Sequence, residues 1–165
     1  MHHEVETQWM GGMQFNVDVN GHTIVLDAPE RAGGEDNGPI PKPLMLTALA
    51  GCTGMDVAAL LRKAGKSPDS FSLKVTGEIS PRPPIVYTAA HIIYTFEGSA
   101  ANRQAAFDAV GRSQGELCGV SHMLKQIMPV TWDVVYNGET LHFAATSLID
   151  NPESACVTPA SSLAA

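Results

Sequence analysis

Positive charge and cysteine are both scarce in this sequence. The chain of 165 residues has 10 Lys and Arg against 17 Asp and Glu, which gives a formal net charge of −7. Because binding to a nucleic-acid backbone needs a basic surface, this balance argues against a nucleic-acid partner. Hydrophobic residues make up 44% and charged residues 16%, which is the composition of a globular protein rather than a disordered one.

The sequence also lacks a signal-peptide pattern and a long uninterrupted apolar run. Residues 1–6 contain no basic region followed by an apolar stretch. The longest apolar segment, residues 44–61, is interrupted by small or polar residues, which makes it a poor membrane helix. We therefore expect a cytoplasmic protein without a membrane partner. The three cysteines are then expected to be reduced at rest, and any disulfide should be transient and catalytic or sensory.

The length predicts a single domain, which we assign to residues 1–149. Residues 150–165 are small and polar, and are expected to form a flexible C-terminal tail.

Hydrophobic periodicity predicts strands, a long helix, strands, two helices and a last strand. Strand-like alternation covers residues 5–27, with a hairpin turn at Asn20-Gly21, and then residues 71–79, 85–97 and 131–136. A loop rich in Gly and Pro occupies residues 27–43. This order implies an α+β fold with hairpins rather than a parallel sheet.

Three helices are predicted between these strands. The first covers residues 43–63 and is apolar nearly all round in its first half, so burial on most sides is expected. The second begins near Ser99 and bends at Ser113-Gln114-Gly115. The third contains Cys118 and ends at about Met128.

Cys52 and Cys118 lie in two separate apolar helical segments, and they are either inert core residues or a redox pair. Free cysteine commonly behaves as a small buried hydrophobe. Gly51 and Gly54 flank Cys52, however, and leave space beside its sulfur atom. Neither cysteine has a CxxC or HxxxH companion, so no metal site is expected. A hydrolase that combines Cys52 or Cys118 with His122 and Asp56 remains open, although no spacing fixes its geometry.

Two motifs resemble the OsmC/Ohr family. Residues 38–52, GPIPKPLMLTALAGC, resemble the proline-led helix that carries the family's first reactive cysteine, and residues 116–124, ELCGVSHML, resemble its second-cysteine helix. The resemblance covers about residues 10–137, and the element order also matches. It implies an OsmC-like fold in which antiparallel sheets wrap around long central helices in an intertwined homodimer.

The resemblance implies thiol-dependent reduction of organic hydroperoxides without a cofactor. Cys52 would be the peroxidatic thiol and Cys118 the resolving thiol, and an external dithiol, such as that of a lipoylated protein, would restore them. Arg31 is near the position of the family's activating arginine, with one residue of extra spacing. Four apolar side chains are expected to favour a small hydrophobic peroxide: Met45, Leu49, Met55 and Met123.

The sequence departs from the family pattern at one catalytic position. The family's glutamate follows the motif proline, whereas here Pro41 is followed by Lys42 and Pro43. This departure favours a second reading, in which the fold serves a non-catalytic small-molecule-binding or thiol-sensing protein. A third reading is a structural dimer with inert thiols.

Overall fold

The structure, a computed structural model, describes residues 2–141, and in that part of the chain two β-sheets accompany three α-helices. This architecture confirms the predicted α+β class. The proposed tail at residues 150–165, Cys156 within it and the end of the domain at residue 149 lie outside the described residues.

The first sheet is an antiparallel meander of β1 (Val5–Gly11), β2 (Gln14–Val19) and β3 (His22–Leu26). The predicted turn at Asn20-Gly21 joins β2 to β3, with both residues at positive φ. Cross-strand pairing places one set of apolar side chains on a single face: Val5, Trp9, Phe15, Val17, Val19, Ile24 and Leu26. Much of this face is uncovered, and Trp9 is 63% exposed.

The second sheet has the order β4 (Ser70–Ile79), β5 (Tyr87–Glu97), β6 (Val130–Tyr136) and β7 (Glu139–Leu141). Strands β4 and β5 form the predicted antiparallel hairpin, but β5 and β6 are parallel. Strand β6 therefore joins the sheet through a parallel pair, whereas the resemblance implied antiparallel sheets. The helices between β5 and β6 return the chain to the end of the sheet at which β5 begins. A parallel neighbour requires such a crossover connection.

The helices are α1 (Leu44–Lys63), α2 (Arg103–Arg112) and α3 (Gly119–Lys125). A π-helical turn, Ser113–Leu117, separates α2 from α3 at the bend that the sequence predicts. The expectation that Cys118 lies within a helix was wrong. Cys118 instead caps the N-terminus of α3 in an extended conformation, because the π turn ends just before it.

One face of α1 packs into the core, and its buried residues recur at helical spacing: Leu49, Thr53, Val57 and Leu61. They meet the buried residues of β5 and β6, which include Ile92, Tyr94 and Val134. The expected burial of α1 on most sides does not occur within one chain. By length and mean hydropathy (1.7) α1 is long and apolar enough to cross a membrane, and one of its faces packs against β4, α2 and α3.

Candidate dithiol site

Cys52 and Cys118 come from separate elements and meet at one place. Cys52 lies in the middle of α1, and Cys118 caps α3. The two Sγ atoms and a carboxylate oxygen of Asp56 all lie within 4.8 Å of one another. Both thiols are free. A disulfide has an S–S bond of about 2.05 Å, so a modest rearrangement of side chains and backbone would be enough to form it.

The two thiols differ in exposure and in acidity. Cys118 is only 3% exposed, and its sulfur accepts a hydrogen bond of 3.3 Å from the backbone N–H of Ser121. Burial, followed by the hydrogen bond with Cys52, raises the pKa of the Cys118 thiol, and the nearby Asp56 carboxylate adds to this effect. Cys118 is therefore a protonated thiol at neutral pH. Cys52 is half-buried and is the more accessible sulfur.

Asp56 places a carboxylate beside both sulfur atoms. It follows Cys52 by one helical turn, so the two side chains lie on the same face of α1. The Ser113 hydroxyl, in the π turn, donates a hydrogen bond of 3.0 Å to Asp56 Oδ2. The site therefore has an oriented carboxylate, although the family position near Pro41 has none.

A buried network of polar side chains lies beneath the thiols. The Thr53 hydroxyl is 2.6 Å from the Tyr94 hydroxyl and 2.8 Å from the Ser113 hydroxyl. Gln114 donates from Nε2 to Thr53 and Tyr94, at 3.1 and 2.7 Å. Ser121 donates to Gln114 Oε1 at 2.7 Å. These bonds connect α1, β5, the π turn and α3, and so hold Cys118 against Cys52.

Two groups of this network have shifted acidity. Burial raises the pKa of Tyr94 to about 12, so its hydroxyl stays neutral and can donate. Lys125 donates a hydrogen bond of 2.6 Å to the Gln114 carbonyl. Burial lowers the pKa of Lys125, and the attraction that an ionised Cys118 would exert on it opposes that shift. Lys125 would therefore stabilise Cys118 when that thiol ionises.

The glycines beside Cys52 have different surroundings. A Cβ on Gly51 would meet no atom within 4 Å, so open space adjoins Cys52 there. A Cβ on Gly54 would approach Leu73 Cδ1 at 3.2 Å, so Gly54 permits close packing of α1 on β4.

The other residues selected from the sequence do not all lie at this site. Arg31 occupies an exposed 3-10 turn, Glu30–Ala32, and takes no part in the described contacts around the two sulfur atoms. Met45, Met55 and Met123 are exposed by 44%, 75% and 63%. Leu49 is 0% exposed and belongs to the core, so it offers no surface to a ligand in this chain.

Among the described residues, no histidine lies in the group formed by Cys52, Cys118 and Asp56. His122 is exposed on α3, which gives no support to the hydrolase reading. The sequence indicated Asp56 only as part of a hydrolase triad, and it indicated no role for Gln114. The signal for Asp56 was its spacing of four residues from Cys52. Nothing local to Gln114 shows that it faces Thr53 and Tyr94.

These features define a class: a two-sheet α+β protein with a dithiol between its long helix and a short second helix. A family model described as OsmC-like protein matches residues 34–133. The chain therefore belongs to the OsmC-like protein family, which confirms the resemblance seen in the two cysteine motifs.

Relatives agree with this assignment. The chain is 26% identical to Protein YhfA of Escherichia coli (strain K12) over 129 residues, which cover 78% of this chain and 93% of YhfA. A hypothetical protein from Aquifex aeolicus VF5 matches in structure with a TM-score of 0.67 at 23% identity, over 82% of this chain and 98% of that one.

A third relative has a functional description. It is an organic hydroperoxide resistance protein OsmC from Legionella pneumophila, with a TM-score of 0.59 at 17% identity, over 82% of this chain and 97% of that one. At this identity the likeness to the solved structures shows a shared fold.

Proposed function

We propose that this protein is a thiol-dependent peroxidase that reduces organic hydroperoxides, with Cys52 as the peroxidatic thiol and Cys118 as the resolving thiol. The observation that carries the proposal is the closeness of the two Sγ atoms, within 4.8 Å, although they come from separate elements. Two thiols this close to each other and to an oriented carboxylate favour a redox pair over inert core cysteines. Membership of the OsmC-like family supports the same reaction.

The difference between the thiols supports the assignment of roles. Peroxide reaches an accessible thiolate, and Cys52 is the less buried of the two. The Cys52 thiolate attacks the terminal peroxide oxygen, the O–O bond breaks, and the alkoxide takes a proton to leave as an alcohol. Cys52 is now a sulfenic acid.

Cys118 then closes the disulfide. Its thiol loses a proton and attacks the Cys52 sulfenic sulfur, and the hydroxyl leaves as water. Because burial raises the pKa of Cys118, this step needs a base. We assign the Asp56 carboxylate, which lies within 4.8 Å of both sulfur atoms, to pass this proton from the Cys118 thiol to the leaving hydroxyl. An external dithiol, such as that of a lipoylated protein, returns both cysteines to thiols as it is itself oxidised.

Exposed apolar side chains on the elements that carry the cysteines favour a hydrophobic peroxide as substrate. Met45, Met55 and Met123 are exposed apolar side chains on α1 and α3, the two elements that carry the cysteines. We propose that they contact the alkyl part of the peroxide. We also propose that the protein works in the cytoplasm as a homodimer, and we assign Arg31 of a second copy as the activating cation.

The proposal is tested by mass spectrometry of the reduced protein after one equivalent of cumene hydroperoxide. We expect a Cys52–Cys118 disulfide in the unsubstituted chain, and a sulfenic acid trapped on Cys52 in Cys118→Ser. Serine is well suited to the capping position of Cys118, so this variant should fold. Cys156→Ser is the matched control and should react normally. Failure of Cys52 to oxidise while Cys156 oxidises readily would contradict the proposal.

A second candidate function is non-catalytic binding or thiol sensing on the same fold. The absence of a carboxylate at Lys42 and Pro43 favours it. Turnover separates the two candidates. A peroxidase consumes many equivalents of peroxide with dithiothreitol as reductant, whereas a binder or sensor is oxidised slowly and does not cycle.

A further inference from the structure

Three potential metal ligands meet at the dithiol site, and they belong to different chemical types. Two are sulfur atoms, of Cys52 and Cys118, and the third is a carboxylate oxygen of Asp56. We propose that these three side chains form a binding site for a soft divalent metal ion, with Zn²⁺ as the best match. The site goes beyond the peroxidase reaction, which needs no metal.

The distances suit this ion after a small contraction. Zn²⁺ binds sulfur at about 2.3 Å and carboxylate oxygen at about 2.1 Å, so these tetrahedral ligands lie about 3.6–3.8 Å apart. The three atoms here lie within 4.8 Å of one another. A movement of about 1 Å, within the range of side-chain rotation, therefore completes the geometry.

The ligands are held by the fold rather than by chance proximity on a mobile surface. Cys52 and Asp56 are one turn apart on α1, so their separation is set by the helix. Ser113 orients Asp56 through a hydrogen bond of 3.0 Å to Oδ2. The Ser121 N–H fixes the Cys118 sulfur at 3.3 Å. Such outer contacts are typical of metal sites, where they orient the direct ligands.

The chemistry of the donors selects the ion. Thiolates favour Zn²⁺ and similar soft ions, whereas Mg²⁺ and Ca²⁺ prefer sites made of oxygen atoms alone. Both sulfur atoms would bind the ion as thiolates, so binding would release any proton that a thiol still carries. Two thiolates and one carboxylate carry three negative charges, which the ion reduces to one.

The partial exposure of Cys52 and Asp56 leaves room for a fourth ligand on the metal ion. Cys118 is buried, but Cys52 and Asp56 are only half-buried, so the site opens to solvent on their side. Three protein ligands with one open position can bind water or an exchangeable ligand. Bound metal would also occupy the sulfur lone pairs that attack peroxide. Metal binding and oxidation of Cys52 are therefore expected to exclude each other.

The site is tested with Co²⁺, which reports its ligands spectroscopically, and with Zn²⁺ in competition against a chromophoric chelator. All proteins are reduced full-length chains that carry Cys156→Ser, so the thiols that remain are those of the site. We expect one Co²⁺ per chain, with sulfur-to-cobalt charge-transfer absorption. Zn²⁺ should displace it. Because the titration contains no peroxide, it can succeed or fail independently of the peroxidase reaction.

Variants assign the ligands. Asp56→Asn should weaken Zn²⁺ binding at least 10-fold, and Cys118→Ser should weaken it further and remove about half of the charge-transfer intensity. Asp108→Asn changes an exposed carboxylate on α2 and is the matched control, with unchanged binding expected. Binding that lacks charge-transfer absorption would indicate ions held by the N-terminal His2 and His3, and would overturn the proposal. Unchanged affinity in Asp56→Asn would overturn it as well.

A protection measurement provides a second readout. Protein loaded with one Zn²⁺ per chain should react with cumene hydroperoxide at Cys52 at least 10-fold more slowly than metal-free protein. Equal rates of oxidation would show that the ion binds elsewhere, which would contradict the shared site.

Discussion

At the scale of single residues, the dithiol site depends on buried polar side chains that lie beneath the two cysteines. Thr53 is 0% exposed and lies at the centre of the network that links α1 to the π turn. Buried polar groups are costly when they lose their partners and stabilising when each has one. The position of Cys118 therefore depends in part on hydrogen bonds that link the π turn to Thr53 and Tyr94, which lie on other elements.

Thr53→Val tests the stability of this network. Valine has nearly the same shape but lacks the hydroxyl, so Ser113, Gln114 and Tyr94 each lose a partner. We expect the free energy of unfolding to fall by about 1–3 kcal/mol, measured by urea denaturation at fixed protein concentration.

Thr47→Val is the matched control, because Thr47 is exposed on the same helix. Its effect should stay within about 0.5 kcal/mol. Equal effects of the two substitutions would mean that the buried network contributes no stability.

At the scale of elements, the loop between β3 and α1 is organised by one carboxylate. Asp27 is buried and accepts hydrogen bonds from three backbone N–H groups, those of Ala28, Glu35 and Asn37, at 2.8, 3.0 and 3.1 Å. Burial opposes the charge of Asp27, but these three bonds outweigh it and lower the pKa of the carboxyl below its usual 3.8. The loop that leads into the cysteine helix is thus fixed by a charged group.

The lowered pKa gives a definite pH dependence. The unfolded chain binds the Asp27 proton at a higher pH than the native chain, so the stabilisation is complete above about pH 4 and is lost as the pH falls through the native pKa. Asp27→Asn should therefore have a lower Tm than the unsubstituted protein at neutral pH, and the difference should shrink below about pH 4 in thermal scans.

Glu30→Gln is the control for this prediction, because Glu30 is an exposed carboxylate of the same loop. It should leave the Tm unchanged throughout. A Tm difference for Asp27→Asn that does not depend on pH would contradict the assigned role of the carboxylate charge.

At the scale of the whole molecule, one chain leaves much apolar surface uncovered. The first sheet exposes Trp9, Phe15 and Ile24 on one face, and α1 exposes Met55 at 75%. Exposed apolar patches of this kind mark contact surfaces in soluble proteins. A second copy that covers them would also explain why α1 is apolar nearly all round yet buried on one face here.

Dimerisation is tested by light scattering coupled to size-exclusion chromatography. We expect a dimer whose Tm rises with protein concentration. Trp9→Glu should shift it toward monomer, because a charge on the apolar face must be desolvated on association.

Gln8→Glu adds the same charge to the neighbouring position, which points to the opposite face of β1. It should leave the dimer intact. A monomeric unsubstituted protein, or equal effects of the two substitutions, would contradict this interface.

The sequence alone determined the features that depend on neighbours along the chain. Alternation and helical periodicity located β4, β5, β6 and α1, and Asn20-Gly21 located one turn. The turn at Gly11-Gly12 and the short strand β7 were not predicted. Each gives a weak local signal, since β7 has only three residues and is stabilised by pairing with β6. The two cysteine motifs sufficed to indicate the family.

Only the tertiary structure decided which side chains meet. Asp56 joins both thiols, and Gln114 joins Thr53, because α1, the π turn and α3 pack together over the second sheet. The same packing leaves Arg31 on an exposed turn. Hydrophobic periodicity specifies which face of an element is buried but not which polar group opposes it. That choice belongs to long-range contacts, and those contacts set the chemistry of the dithiol.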